Sequence, residues 1–245
     1  RAKRKTIKPM PQKVLLLLCL FLSAQYPLSA QVSKDSLSTD ALKLRSLEEL
    51  MEMEITSVAK RAKPFFESAA AISVITGDDI RRSGARNIPE ALMLASNLNV
   101  VKIDSRGWAI SARGFNTATT NKLLVLIDGR TVYTPLYSGV FWDVQDQFLP
   151  DVERIEIISG PGATLWGANA VNGVINIITK SANETASHPF LIEGSAGTYE
   201  RLSGGLRFSG SLDESIDYRA YVKHFDRSAT EFSNGNSADD EWNMF

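Results

Sequence analysis

Cysteine is all but missing from this 245-residue chain, Cys19 being the single one. One thiol cannot close an intramolecular disulfide, and with no Cys-His cluster a zinc site of the usual spacing is excluded. Histidine is nearly as scarce. His188 and His224 are the only two, and no G-x-S-x-G nucleophile elbow accompanies either, so nucleophile–His–acid catalysis has little to build on. An excess of either charge is also lacking: 27 Lys and Arg face 28 Asp and Glu, for a net charge of −1, which argues against a nucleic-acid partner. Gly at 16 and Pro at 9 are ordinary, which rules out collagen-like and low-complexity chains. The unbroken apolar run Val14-Leu-Leu-Leu-Leu-Cys-Leu-Phe-Leu22 falls short of the roughly 20 residues a membrane-spanning helix needs.

That short run still has a reading. Arg1, Lys3, Arg4, Lys5, Lys8 and Lys13 precede it without an intervening acid, and Leu28-Ser29-Ala30 supplies a small-residue end. Together they predict a secretory signal peptide over residues 1–30. Its removal takes away six basic groups and the only Cys, moving the net charge from −1 to −7. A cysteine-free exported chain suits an oxidising compartment.

The remaining sequence changes character twice. Residues 31–63 read as a flexible leader. Ser46-Leu47-Glu48-Glu49 is a capping-box pattern opening a short helix over 47–53, and Glu54-Ile-Thr-Ser-Val-Ala-Lys60 is β-branched and extended. Residues 64–182 read as one compact α+β unit. A strand over 71–76 runs into Thr76-Gly-Asp-Asp79, a capped helix start that stops at Ser83-Gly84. Pro89 opens a second helix over 89–96. Strands follow over 100–103, 109–113 and 123–127. Asp128-Gly129 turns the chain into 130–133, and two more strands cover 154–158 and 174–179.

Residues 188–245 lose the helical period. Leu202, Gly204, Leu206 and Phe208 alternate with Ser203, Gly205, Arg207 and Ser209. Ile216, Tyr218, Ala220 and Val222 alternate with Asp217, Arg219, Tyr221 and Lys223. With 189–199 this predicts three segments of about ten residues, the length of a membrane β-strand. A soluble antiparallel sheet with one wet face has the same period, so the period leaves both open. Three strands cannot close a barrel, and an open edge is not viable in lipid, so the chain is expected to belong to a longer one.

Catalytic and nucleotide motifs fail one by one. Gly160-Pro-Gly-Ala-Thr-Leu-Trp-Gly167 follows a strand, but Leu165 stands where a phosphate loop needs its third Gly, and Pro161 removes an amide. Asp151, Glu153 and Glu156 sit scattered in a strand context. Neither enzyme activity nor a cofactor or metal is expected.

Several blocks, however, occur in a telling order. Ile72-Ser-Val-Ile-Thr-Gly-Asp-Asp-Ile80 and Ile88-Pro-Glu-Ala-Leu92 come first, then Ile110-Ser-Ala-Arg-Gly-Phe115 and Leu123-Leu-Val-Leu-Ile-Asp-Gly-Arg130. Val152-Glu-Arg-Ile-Glu-Ile-Ile-Ser-Gly-Pro-Gly-Ala163 then runs into Leu165-Trp-Gly-Ala-Asn-Ala-Val-Asn-Gly-Val-Ile-Asn-Ile177. This series resembles the N-terminal part of TonB-dependent outer-membrane receptors. The resemblance implies an α+β plug domain, a small mixed sheet with short helices, followed by the first antiparallel strands of a truncated transmembrane β-barrel of about 22 strands. It also implies energy-coupled uptake of a scarce ligand, such as a ferric siderophore or cobalamin, by a monomeric barrel in the Gram-negative outer membrane. The plug would face the periplasm and the barrel lumen. The partners would be TonB, a small chelate and outer-membrane lipid. The alternative is a non-transporting plug-like module that binds a ligand or protein.

The same resemblance assigns residues. Ile55, Thr56, Ser57 and Val58 would be the TonB box, an extended segment able to add a strand to a partner's sheet edge. Arg106, Trp108, Phe115, Tyr137, Phe141 and Trp142, on apical plug loops, would meet a bulky chelate by stacking and cation–π contact. Phe141 and Trp142 suit the plug core equally well. Arg113 and Arg154 would pair with barrel glutamates beyond residue 245.

Overall fold

The computed structural model describes residues 54–55, 63–64, 71–160, 166–167, 169–213 and 215–245. The signal segment, most of the leader and the expected helix over 47–53 lie outside them.

Residues 71–186 build a small mixed sheet with short helices. Strand β3 (Ala71–Thr76) ends where Thr76 caps helix α1 (Gly77–Ser83). The Asp79 amide donates to Thr76 Oγ1 at 3.2 Å and the Thr76 amide returns to Asp79 Oδ2 at 2.9 Å. Gly84 at φ +71° then ends the helix, in a conformation that costs other residues about 1 kcal/mol or more. Helix α2 (Ile88–Leu92) starts on the Asn87 side chain and is shorter than the expected 89–96. Beyond Leu92 the backbone tightens instead: Leu94 donates to Ala91 and Ala95 to Leu92, one residue closer than α-helical bonds.

Strands β4 (Asn99–Lys102) and β5 (Trp108–Ser111) pair as a separate ribbon. Strand β5 stops before the expected residue 113, because Arg113 turns to φ +58°. The main sheet has the order β3-β8-β9-β6-β7, with β6 (Leu123–Ile127), β7 (Arg130–Thr131), β8 (Val152–Ser159) and β9 (Gly173–Thr179). Only β6 and β9 run parallel. The hairpin return is two residues long, against the expected 130–133, since Thr134 leaves to bridge Gly139. Ile75, Ile88, Leu92, Ile155, Ile157, Ile175 and Ile177 fill one face of this sheet, and Leu124, Leu126, Ile158 and Val174 the other. Each such side chain contributes about 1.5–3 kcal/mol on burial.

Helix α3 (Ala182–Ala186), opened by a Ser181/Glu184 capping box, leads into a second sheet. Its four antiparallel strands follow chain order: β10 (Phe190–Ser195), β11 (Glu200–Asp213), β12 (Ile216–Arg227) and β13 (Trp242–Met244). The ambiguous alternation resolves here. Phe190, Ile192, Leu202, Leu206, Phe208, Leu212, Ile216 and Val222 are exposed on the side away from the first sheet, while buried Arg207 and Ser209 meet residues 151 and 185. A soluble sheet does the reverse and hides its apolar face. From Leu202 to Leu212 the apolar positions climb ten residues, about 33 Å along the strand, which a tilt of about 40° reduces to about 25 Å. That is the height of a barrel's lipid-facing band.

Candidate functional site

The expected N-terminal motif is only partly within view. Glu54–Ile55 (β1) pairs antiparallel with Lys63–Pro64 (β2), placing Ile55 opposite Lys63. Thr56, Ser57 and Val58 lie outside the described residues.

The six candidate ligand residues divide into two groups. Trp108 and Trp142 are buried in the core of the first sheet's cluster. With exposed Arg106 they line a cleft of about 10 Å³, room for a water at most, shared with Phe225, Arg227 and Trp242 of the second sheet. Phe115, Tyr137 and Phe141 instead form an outer rim. Tyr137 and Phe141 meet edge to face at 5.1 Å, and Asn121 Nδ2 donates to the Tyr137 carbonyl, joining the two loops. Phe115 at 80% exposure and Leu136 at 79% are the most open apolar side chains of these loops. Arg113, Gly114 and Phe115 carry successive φ values of +58°, +93° and +58°, a turn that leaves all three exposed. Burial, and then the nearby Asp143, raise the Tyr137 phenol above its ordinary range, so it stays protonated.

Arg154 has partners close at hand. Its Nε reaches the wholly buried Glu156 at 2.8 Å, and a further nitrogen pairs with Glu153. Both are plug-side carboxylates, distinct from the barrel glutamates the resemblance assigns to it. Among the described residues, no cluster of His, Cys, Asp or Glu is arranged to hold a metal.

The densest polar contacts join the two sheets, and the sequence reading missed them. Asp151 stands between Arg207 at 2.9 Å and Arg219 at 3.4 Å, its side chain 4% exposed. Lys223 Nζ reaches Asp146 at 2.7 Å. Between these two carboxylates, the Phe148 ring stacks on Tyr221 at 5.6 Å and seats over Gly205, where an added Cβ would lie 2.5 Å from a ring carbon. Higher up, the loop after β12 grips the β4–β5 turn. Asp240 accepts from the Ser105 and Thr230 amides at 2.8 and 2.6 Å. Burial opposes the charge on Asp240, but those donors outweigh it and hold the carboxyl below its usual range. Lys102 Nζ sits 3.6 Å from the Tyr199 ring centroid. Burial, then the nearby Arg227, lower this amine to about 8. One signal for the contacts was present in the sequence. Arg219, Lys223 and Arg227 recur at every fourth residue on one strand face, and cations in a lumen need carboxylates opposite them.

Beside these pairs lies a cavity of about 890 Å³, between α1 with the 148–153 segment and the inner face of β10–β11. It falls within the size range of small-molecule sites.

Comparison with known proteins adds the family. A model described as "TonB-dependent Receptor Plug Domain" matches residues 64–174. The ferric enterobactin receptor of Pseudomonas aeruginosa is 30% identical over 192 residues, covering 70% of this chain and 25% of that protein. The vitamin B12 transporter BtuB of Vibrio vulnificus is 31% identical over 125 residues, covering 50% and 20%. This chain thus spans a quarter or less of these relatives' length. Among solved structures, the ferripyoverdine receptor of the Pseudomonas aeruginosa outer membrane superposes with a TM-score of 0.57 at 22% identity, covering 72% of this chain and 23% of that one. That last likeness is one of fold.

Proposed function

We propose, on the premise that residues 64–174 of this chain are the plug domain of a TonB-dependent receptor, that the whole protein imports a scarce ligand across the outer membrane using energy delivered by TonB. The observation that carries the reading is the two-sided second sheet. Its outer side is apolar and exposed over about the height of a bilayer core, while its inner side is charged and docked on the plug. A wall of this kind with a plug against it admits a ligand without leaving an open pore.

In this reading the ligand is a ferric siderophore or cobalamin, the two classes named among the relatives. Apical Phe115, Tyr137 and Phe141, with Arg106, meet it from outside. Trp108 and Trp142 support that rim from the core. The plug faces the lumen and the periplasm, and the barrel is monomeric. TonB engages Ile55, Thr56, Ser57 and Val58. The ladder that holds Ile55 is two residues long, so a partner's edge strand can displace it at low cost.

Val58→Pro in the full-length receptor tests this. Proline removes a donor from any strand added there, so uptake is abolished while surface binding of ligand persists. Unchanged uptake sinks the TonB-box assignment.

A further inference from the structure

Gly139 is buried where the two apical plug loops meet. The segment 134–139 folds back on itself. The Thr134 amide donates to the Gly139 carbonyl at 2.7 Å, and the Thr134 carbonyl accepts from the Ser138 amide at 2.9 Å. Thr134 Oγ1 accepts from the Leu136 amide at 3.2 Å. Ser138 completes the fold at φ +56°, a left-handed conformation that serine keeps only when its surroundings hold it there. The Tyr137 ring then lies over Gly139. A Cβ added at residue 139 would stand 2.1 Å from ring atom Cε2 and 2.8 Å from the Thr120 carbonyl oxygen. Only hydrogen fits there.

The two obstacles differ in how far they can yield. Thr120 is tied into its own turn: its amide donates to the Thr117 carbonyl at 3.2 Å, and its Oγ1 accepts from the Thr117 amide at 3.0 Å. The Tyr137 ring turns about side-chain bonds, held only by Gly139 beneath it and by Phe141, edge to face at 5.1 Å. A methyl group at residue 139 therefore moves the ring before it moves the loop. That ring carries one polar atom. Among the described residues its hydroxyl has no hydrogen-bond partner, and burial, with the nearby Asp143, keeps it protonated. It is a free donor beside the exposed apolar side chains of Phe115, Leu136 and Phe141. Such a rim grips a bulky ligand by its surface and orients it through one oxygen.

We propose that Gly139 is a positioning residue for ligand capture: it seats the Tyr137 ring so that the hydroxyl points at an oxygen acceptor on the ligand. The proposal rests on the uptake reading above and deepens it, adding to the rim a residue that touches no ligand itself. A phenol donates to a catecholate, carboxylate or amide oxygen alike, so the acceptor is chosen by its place on the ligand rather than by its charge.

Surface binding to cells that express the full-length receptor tests this, with an iron-labelled ferric tricatecholate and cobalt-labelled cyanocobalamin as probes. Gly139→Ala should weaken binding of the accepted probe about tenfold, the loss expected for one hydrogen bond, at an unchanged receptor level in the outer membrane. Tyr137→Phe should weaken it equally. Gly139→Ala combined with Tyr137→Phe should bind no more weakly than Tyr137→Phe alone. In that double variant the ring still meets the added methyl group, so damage to the loop would add to the loss, whereas misdirection of an absent hydroxyl cannot. Asn121→Ala, which removes the 3.4 Å bond to the Tyr137 carbonyl, takes the place of Gly139→Ala if the latter fails to reach the membrane, and its loss should likewise vanish beside Tyr137→Phe. Wild-type affinity in the single variant used, or losses that add, overturn the positioning role and leave the uptake reading standing. Binding of neither probe by the wild type refutes both.

Discussion

Asp151→Ala is the substitution that most directly tests how the plug is held against the wall. Its carboxylate serves two arginines, and the side chains of Asp151, Arg207 and Arg219 are 4%, 6% and 18% exposed. Removing the shared acid leaves two cations facing each other in a confined space. Breaking a buried pair from one side costs about 3–5 kcal/mol. Taking the lower figure, the plug–wall contact opens about 150-fold more often. Arg207→Met should cost less, because Asp151 keeps Arg219. Residues 31–245 hold no cysteine, so in a receptor whose cysteines elsewhere are replaced by serine a single introduced thiol is a clean reporter. Ser209 is wholly buried on the wall, with Oγ donating to the Thr185 carbonyl of α3 at 2.8 Å, so Ser209→Cys reacts only when α3, the segment that joins the Asp151 side to the wall, lifts off β11. Thiol labelling of the full-length receptor under native conditions reads that opening. Acceleration of less than about fivefold for Asp151→Ala, equivalent to about 1 kcal/mol, would refute the claim that this triad carries the docking. So would an Arg207→Met effect equal to or above that of Asp151→Ala.

Two further predictions use the same reporter or a stability scan. Gly205→Ala drives a methyl group into the Phe148 ring and should speed Ser209→Cys labelling; adding Phe148→Ala should slow it again, and no recovery would mean that the ring is not the obstacle. Lys102 bears on pH: its amine is lowered to about 8 from an ordinary 10.5, so the unfolded chain binds more protons than the folded one between those values. Plug stability should therefore rise as pH climbs from 8 towards 10.5, and Lys102→Met should flatten that slope in thermal unfolding of the full-length receptor. A slope unaltered by the substitution would remove Lys102 as its cause.

Much of the plug was legible from local chemistry. Thr76 with Asp79, Gly84, Asn87 before Pro89, and Asp128-Gly129 all behave as their residue types dictate, since capping and turn formation act within a few residues. Boundaries slipped where long-range pairing decides them. Strand β5 ends early because Arg113 adopts a left-handed turn, and a sequence does not advertise that for arginine. The Ser181/Glu184 capping box was readable but straddled the end of the first expected unit at residue 182. The candidate aromatics separate in the structure in a way that local chemistry does not show. Trp108 and Trp142 look alike to Phe115 in sequence, yet the first two are core and the third is open to solvent. Burial of an aromatic depends on what packs over it, which no local rule contains.

The wall shows why its alternation was ambiguous and what removes the ambiguity. A period of two fixes only that successive side chains face opposite ways, not which medium lies on each side. In a soluble sheet the polar side chains face water and need no partners. Here they face another folded domain, so each inward cation needs a specific acid. Asp146 and Asp151 therefore complement Lys223 and the arginine pair across 77 and about 60 residues of chain respectively. The feature that separates a barrel wall from a soluble sheet is thus not in the strands alone. It is the acids of a distant, irregular plug segment matched to cations that alternate with exposed apolar residues.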